Sequence, residues 1–389
     1  MWIFEGAQCP SQKRRQMPEA TVIVVGAGAS GLSAAAALKR KGVDVVLLEQ
    51  HQRIGETWAR RYDRLHLHTP RAFSGLAHFG IPWRYPRYLS RDQFVEYLNE
   101  YAKHFELRVV SPTTVRNISK DPVGKWKIST NNGDWRSRAV VVATGQYSQP
   151  VFPKWAGAEG YKGELIHASK YSKPAPYAGK RVLVVGPGNT GSEIAMELAE
   201  KGAGFVALSI RTPPPIVPRD PFGMPIAQTG ILLSMLPTFI ADRMARLTSR
   251  LVLGDLTRHG IPRAAWAPFS SKRVPLIDVG IVSAIKKGIV KVRPALERLS
   301  ENGAVFADGS AEPFDAIIAA TGYSTGLDQL LDSNEALNAL GEPADIAGEP
   351  TASPGLFFVG YTHSLRGHLF EANVASRRMA TNVETYLAV

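Results

Sequence analysis

The same strand–turn–helix unit occurs twice in this chain, 160 positions apart, and few folds accommodate such a repeat. In the first copy, Ala20-Thr-Val-Ile-Val-Val-Gly26 is a continuous β-branched run ending in glycine, the pattern of a strand buried within a parallel sheet. Ser30 to Lys41, rich in Ala and Leu, predicts a helix closed by Gly42, and Val43–Leu48 is a second apolar strand. The second copy reads as a strand over Arg181–Gly186, a helix over Asn189–Lys201 and a strand over Gly204–Arg211. Each is a βαβ unit of about thirty residues. The expected fold class is therefore α/β, with two Rossmann-like dinucleotide-binding domains.

Between the copies, Arg108–Val110, Thr114–Ser119, Trp126–Thr130 and Ala139–Ala143 alternate with Asp-Pro and Asn-Gly turn signals. They predict an antiparallel meander inserted in the first domain. Pro-rich Pro150–Tyr177 reads as the crossing to the second domain. The return is expected near Arg298–Pro313, ahead of a strand at Ala316–Ala320; a last strand, Leu356–Gly360, leads to a helix over Ala372–Leu387. The expected boundaries are a disordered extension at 1–17, the first domain at 18–150, a linker at 151–177, an inserted second domain at 178–300, and the rest of the first domain at 301–389.

Gly26-Ala-Gly28-Ala-Ser30-Gly31 is the first glycine fingerprint: Gly26 for the tight turn, Gly28 for approach of a pyrophosphate, Gly31 for helix–strand packing. The following helix N-terminus offers unpaired amides to phosphates. Glu49 ends the second strand, where a carboxylate grips ribose hydroxyls. Gly186-Pro-Gly188-Asn189-Thr190-Gly191 is the second fingerprint, but its second strand ends Ser209-Ile-Arg211-Thr212. A cation in place of an acid there selects NADPH, because Arg211 pairs with a 2′-phosphate that a carboxylate would repel. Two further apolar strands end in Ala143-Thr144-Gly145 and Ala320-Thr321-Gly322, where backbone passes close to a cofactor.

The net charge of +12 points to anionic partners, but no dense Lys/Arg block with interleaved aromatics is present, so nucleic acid is not expected. The sole cysteine, Cys9, excludes a disulfide framework and a C-x-x-C redox centre. No secretory signal is readable, the coherent fold is expected to begin near Met17, and a cytoplasmic location follows by default. The longest apolar stretch, Gly230–Ala241, is too short to span a bilayer. Contact with a membrane surface, the wall of a substrate tunnel and plain burial are all open to it; burial is expected and membrane contact is not. Nothing in the sequence speaks to an oligomeric state.

Tyr161-Lys-Gly163-Glu-Leu-Ile-His167-Ala-Ser-Lys-Tyr171 lies between the two fingerprints. It resembles the F-x-G-x-x-x-H-x-x-x-[YF] signature of class B flavin-dependent monooxygenases, with Tyr for the leading Phe. Ser172 after it departs from the Trp that the common Baeyer–Villiger members carry. The chain most resembles YUCCA-type (indole-3-pyruvate) monooxygenases and their bacterial relatives, through Tyr62-Asp-Arg-Leu-His-Leu-His68-Thr-Pro-Arg71, Leu253-Gly-Asp with His259-Gly260, and Val274-Pro-Leu-Ile-Asp-Val-Gly280. Ala264–Ser270 and Tyr361–Phe370 are less family-like and are expected to line substrate space.

The resemblance implies FAD at the first site, NADPH at the second, and O2 as co-substrate with a small molecule. It implies oxygen transfer through a C4a-(hydro)peroxyflavin, and with it oxidative decarboxylation of an aryl 2-oxo acid such as indole-3-pyruvate. The alternative is N-, S- or Baeyer–Villiger oxygenation of an amine, sulfide or ketone. It further implies that Gln50, Thr57 and Trp58 contact the flavin nucleotide, and that His167 and Tyr171 belong to the cofactor-binding set. His68 is expected to be the catalytic residue nearest the reacting flavin carbon, its imidazole donating a hydrogen bond to the distal peroxide oxygen or steering its protonation. Arg64, Arg71 or Lys272 is expected to meet a substrate carboxylate.

Overall fold

In the computed structural model, which describes residues 17–389 except 272 and 363, the chain opens with β1 (Glu19–Val25), α1 (Ala29–Lys39) and β2 (Val45–Leu48). Cys9 and the expected extension fall almost wholly outside the described residues. Helix α1 is buried from Ala29 to Leu38, which is why it is built from alanine: the sheet covers one side and the C-terminal helix another. Next come α2 (Arg91–His104), started by a Ser90/Gln93 capping box, then β3 (Val109–Val110), β4 (Val115–Lys120), β5 (Trp126–Thr130) and β6 (Trp135–Val142).

Strand β6 begins four residues before the expected Ala139 because it joins an antiparallel and a parallel region of one sheet. Trp135–Ser137 pair antiparallel with β5, completing the meander, while Val140–Val142 pair parallel with a strand from the far end of the chain. Its other edge runs parallel to β1 throughout.

The second sheet is wholly parallel. It contains β7 (Glu164–His167), β8 (Arg181–Val185), β9 (Phe205–Ser209), β10 (Val290–Arg293) and β11 (Ala316–Ala319), in the order β10-β9-β8-β11-β7. Helix α3 (Asn189–Glu200) follows β8. Two of these strands lie outside the expected limits of the inserted domain. Strand β7 comes from the expected linker, and β11, expected after the return crossing, lies inside the second sheet between β8 and β7. The reason is packing: Leu299, Ala304, Phe306 and Phe314 of the small meander at 296–313 cover Leu183, Val185 and Ile317, so the chain feeds directly back into the same sheet. The crossing follows residue 319. There Tyr323–Ser324 pair with Gln149–Pro150, so outgoing and returning segments run side by side.

Helices α4 (Ile226–Leu233) and α5 (Thr238–Leu253), joined by residues 234–237, follow in the second half, and α5 packs against 216–218 and 268–271. The expected burial of Gly230–Ala241 is not what the structure gives: residues 234–240 are all exposed, and Gly230, Leu233 and Ala241 alone in that stretch are buried. The chain ends with β12 (Leu356–Phe358), which joins β6, and α6 (His368–Ala388), which starts four residues before the expected Ala372.

Candidate functional site

The two glycine turns are built alike and explain their glycines differently. Gly26 has φ of +101°, and a Cβ there would sit 2.8 Å from the Ala143 carbonyl. A Cβ on Gly31 would collide with the Gly26 carbonyl. Gly186 and Gly191 repeat this against the Ala320 and Gly186 carbonyls, with φ of +113° at Gly186. The Ala-Thr-Gly runs thus buttress the turns. Gly28 and Gly188 are another matter: their φ values of −78° and −70° suit any residue, and a Cβ on either meets nothing within 4 Å. Nothing in the protein itself requires glycine there. Each stands at a helix N-cap with open space before it, as a bound pyrophosphate demands.

At the edge of the first turn the buried Glu49 carboxylate accepts the Ala27 amide at 2.7 Å and the His51 amide at 2.9 Å. Both oxygens are oriented, with lone pairs left for hydroxyl donors. Registers give the matching positions in the second half: Val25 faces Leu48 as Val185 faces Ser209. Glu49 therefore corresponds to Ile210, and Ala27 to Pro187. Ser209 is closed off, donating to Pro294 O at 2.7 Å and accepting the Leu296 amide at 3.1 Å. Arg211 and Thr212 follow, both exposed. Asn189 does not face outward: it donates to Pro275 O at 3.3 Å and accepts the Ile277 amide at 2.8 Å. The Val274–Gly280 segment is thereby stitched to α3, with Asp278 accepting the Gly280 and Val282 amides. Thr190, beside it, is half-buried.

Beyond the first turn, Thr144 Oγ1 shares a hydrogen bond with the Tyr361 hydroxyl at 2.7 Å, and burial pushes that phenol up to about 12. Ser30 is buried under Gly360, whose φ is +92°. After Gly145, the side chain of Gln146 is buried with its Oε1 lacking any donor. In the second half Thr321 donates to Val151 O at 2.5 Å, and Gly322 turns the chain with φ of +92°. Trp58 meets Phe94 edge-on at 4.7 Å, anchoring its turn to α2, while Gln50 and Thr57 are exposed.

The residues of the signature between the turns hold the crossing segments in place. Tyr161 donates to Phe314 O at 2.8 Å, and Gly163 lies so close to that ring that no side chain fits. His167 Nδ1 accepts the Ser169 amide at 3.1 Å, so the ring proton sits on Nε2, which donates to Gly322 O at 3.1 Å. Burial lowers the pKa of this imidazole. Tyr171 donates to Glu197 at 2.9 Å.

Helix α3 presents Glu193, Glu197 and Glu200 on one face. Tyr62 donates to Glu193 at 3.1 Å, His68 Nε2 also bonds Glu193, and Arg64 pairs with Glu200. Burial raises the pKa of the Glu197 carboxyl. His68 thus reaches across to α3 through Nε2 and has only Nδ1 left for another partner. Arg64 is taken by Glu200, and Arg71 donates to Tyr85 O at 2.5 Å while lying over Trp83. Lys272 lies outside the described residues. Gln146 and the α3 carboxylates were not expected from the sequence, and Tyr361 was expected only as the start of a segment lining substrate space. The i, i+4, i+7 spacing of the three glutamates was a readable signal; Gln146 carried none.

Together these features fit dinucleotides: two open helix N-caps, one oriented carboxylate, one exposed arginine and an orphaned buried acceptor at Gln146. Among the described residues no cluster of three or more His, Cys, Asp or Glu could hold a metal ion. No described helix is long and apolar enough to cross a membrane.

Residues 19–339 match the flavin-binding monooxygenase-like family. The chain is 35% identical to a probable indole-3-pyruvate monooxygenase, YUCCA4 of Arabidopsis thaliana, covering 90% of this chain and 87% of the relative. It superimposes on a flavin-containing monooxygenase from Stenotrophomonas maltophilia with a TM-score of 0.73 and 25% identity, covering 95% of this chain and 100% of that one. The OTEMO complex with FAD and NADP shares the fold, with a TM-score of 0.72 and 20% identity over 95% of this chain and 87% of that one.

Proposed function

Since this chain belongs to the flavin-binding monooxygenase-like family, we propose that it oxidatively decarboxylates an aryl-substituted 2-oxo acid in the cytoplasm, with indole-3-pyruvate the first candidate. It is a flavin-dependent monooxygenase that uses FAD, NADPH and O2. What carries the substrate reading is the likeness, across nearly the whole chain, to relatives named for indole-3-pyruvate.

When bound, NADPH supplies a hydride and the reduced flavin activates O2; the organic chemistry is the cofactors'. In the net reaction the C1–C2 bond of the oxo acid breaks and CO2 leaves. One oxygen atom enters the new carboxylate, and the other leaves as water with the electrons of NADPH.

The protein's part is holding and orienting. Gly28 and the α1 N-terminus take the FAD pyrophosphate, and Glu49 takes ribose hydroxyls. Gly188 and the α3 N-terminus take the NADPH pyrophosphate, and Arg211 the 2′-phosphate. His167, Tyr161 and Tyr171 fix the crossing segments, and so the distance between the two sites. Glu193 holds His68 through Nε2, which leaves Nδ1 for the catalytic role of this imidazole beside the flavin. Product mass spectrometry after incubation with aryl pyruvates, amines, thioethers and ketones tests the reading.

A further inference from the structure

The segment of α4 and α5 carries a surface that neither nucleotide site uses. Phe222, Leu232, Met235, Phe239, Leu247 and Leu251 are 74%, 62%, 81%, 72%, 58% and 68% exposed. On α5, Ile240, Met244, Leu247 and Leu251 recur at i, i+4, i+7 and i+11, a single apolar row along one face. Arg243, Arg246 and Arg250 form a second exposed row beside it. The only carboxylate between residues 221 and 253 is Asp242, which is buried and accepts the Phe269 and Ser270 amides at 2.8 and 3.1 Å. The outer face is therefore apolar and cationic, with no exposed acid within it.

A two-fold contact with a second copy sets this face against itself and brings like-charged arginines together. An anionic bilayer complements both of its components: acyl chains receive the apolar row and lipid phosphates the guanidinium groups. We propose that the 221–253 helical segment docks on the surface of an anionic phospholipid bilayer, lying in the interface without crossing it. Its inner side touches the loop before α6, since a Cβ on Gly230 would lie 3.2 Å from Leu365 O. The docked face is thus joined to the segment that carries Tyr361. This reverses the expectation of no membrane contact, because the sequence did not show which side of each helix the core leaves uncovered.

The test is flotation of the flavin-loaded protein with vesicles of phosphatidylcholine alone or with about 30% phosphatidylglycerol. Two variants accompany the wild type, Met235→Glu/Phe239→Glu and Arg243→Gln/Arg246→Gln/Arg250→Gln. All five positions are exposed, so retained yellow colour verifies that the variants fold. The wild type floats with the anionic vesicles only, raised salt releases it, and each variant lowers its partitioning at least about tenfold. Wild-type protein that ignores both vesicles overturns the proposal, as does binding that the variants leave unchanged. Vesicle-free self-association that the variants abolish also overturns it, by making the face a contact between copies.

Discussion

The Glu49 carboxylate accepts the Ala27 amide at 2.7 Å, and the second half holds Ile210 and Pro187 at the equivalent positions, which can form no such bond. Donor and acceptor are absent together, because proline has no N–H to leave orphaned. One half therefore holds a fixed carboxylate, the group proposed to meet a ribose, and the other holds none next to Arg211, the residue proposed to meet a 2′-phosphate.

Substitutions at Glu49 separate its two tasks. Glu49→Ala orphans the Ala27 amide and removes the ribose contact, costing about 1–3 kcal/mol of stability and most of the bound flavin. Glu49→Gln keeps an acceptor for Ala27 but turns its NH2 toward the His51 amide, so it melts between Glu49→Ala and the wild type while still losing flavin affinity. Melting curves with the ratio of flavin to protein absorbance check this. Equal melting losses in both variants would show that the Ala27 bond does not matter.

Arg211→Ala raises the KM for NADPH by roughly ten- to a hundredfold, the worth of a charge-assisted phosphate contact, and leaves that for NADH nearly unchanged. Steady-state oxidation of both nucleotides measures it. Equal effects on the two would mean that Arg211 does not read the 2′-phosphate.

The glycines divide by what surrounds them. Gly28→Val has open space and permissive backbone, so it folds and yields colourless protein; Gly188→Val folds and stays yellow but is not reduced by NADPH under anaerobic conditions. Gly31→Ala meets the Gly26 carbonyl and loses folded yield instead. Loss of flavin from Gly188→Val would reverse the assignment of the two sites.

The contrast between these glycines shows what a sequence can carry. Both βαβ units were legible because hydrophobic runs, glycine spacing and the position of Glu49 are all local. Strand β11 was misplaced because its residues, Ala316–Ala319, suit the parallel part of either sheet, and only the packing of Phe306 and Phe314 decides between them. Gln146 stayed hidden, and the bond of Tyr361 to Thr144 with it, since these residues meet through strand ends distant in sequence. Pro187 with Ile210 was visible in principle, by laying one copy of the repeat over the other.

His167 makes the fold sensitive to acid. Burial holds its folded pKa below the ordinary value, so the unfolded chain takes up the proton first. Its contribution is full above about pH 6.5 and is lost as pH falls through the lower folded value. His167→Asn keeps an acceptor for the Ser169 amide and removes the titration, so the fall in melting temperature below neutrality becomes shallower. An unchanged acid profile would place the sensitivity elsewhere.

The central claim is the reaction, and the most direct test supplies the flavin-loaded enzyme with NADPH, 18O2 and indole-3-pyruvate. The account predicts NADPH consumption matched by CO2 release, with one heavy oxygen in the carboxylate of the one-carbon-shorter acid. Aryl pyruvates left untouched, while amines or sulfides are oxygenated in step with NADPH consumption, would contradict it.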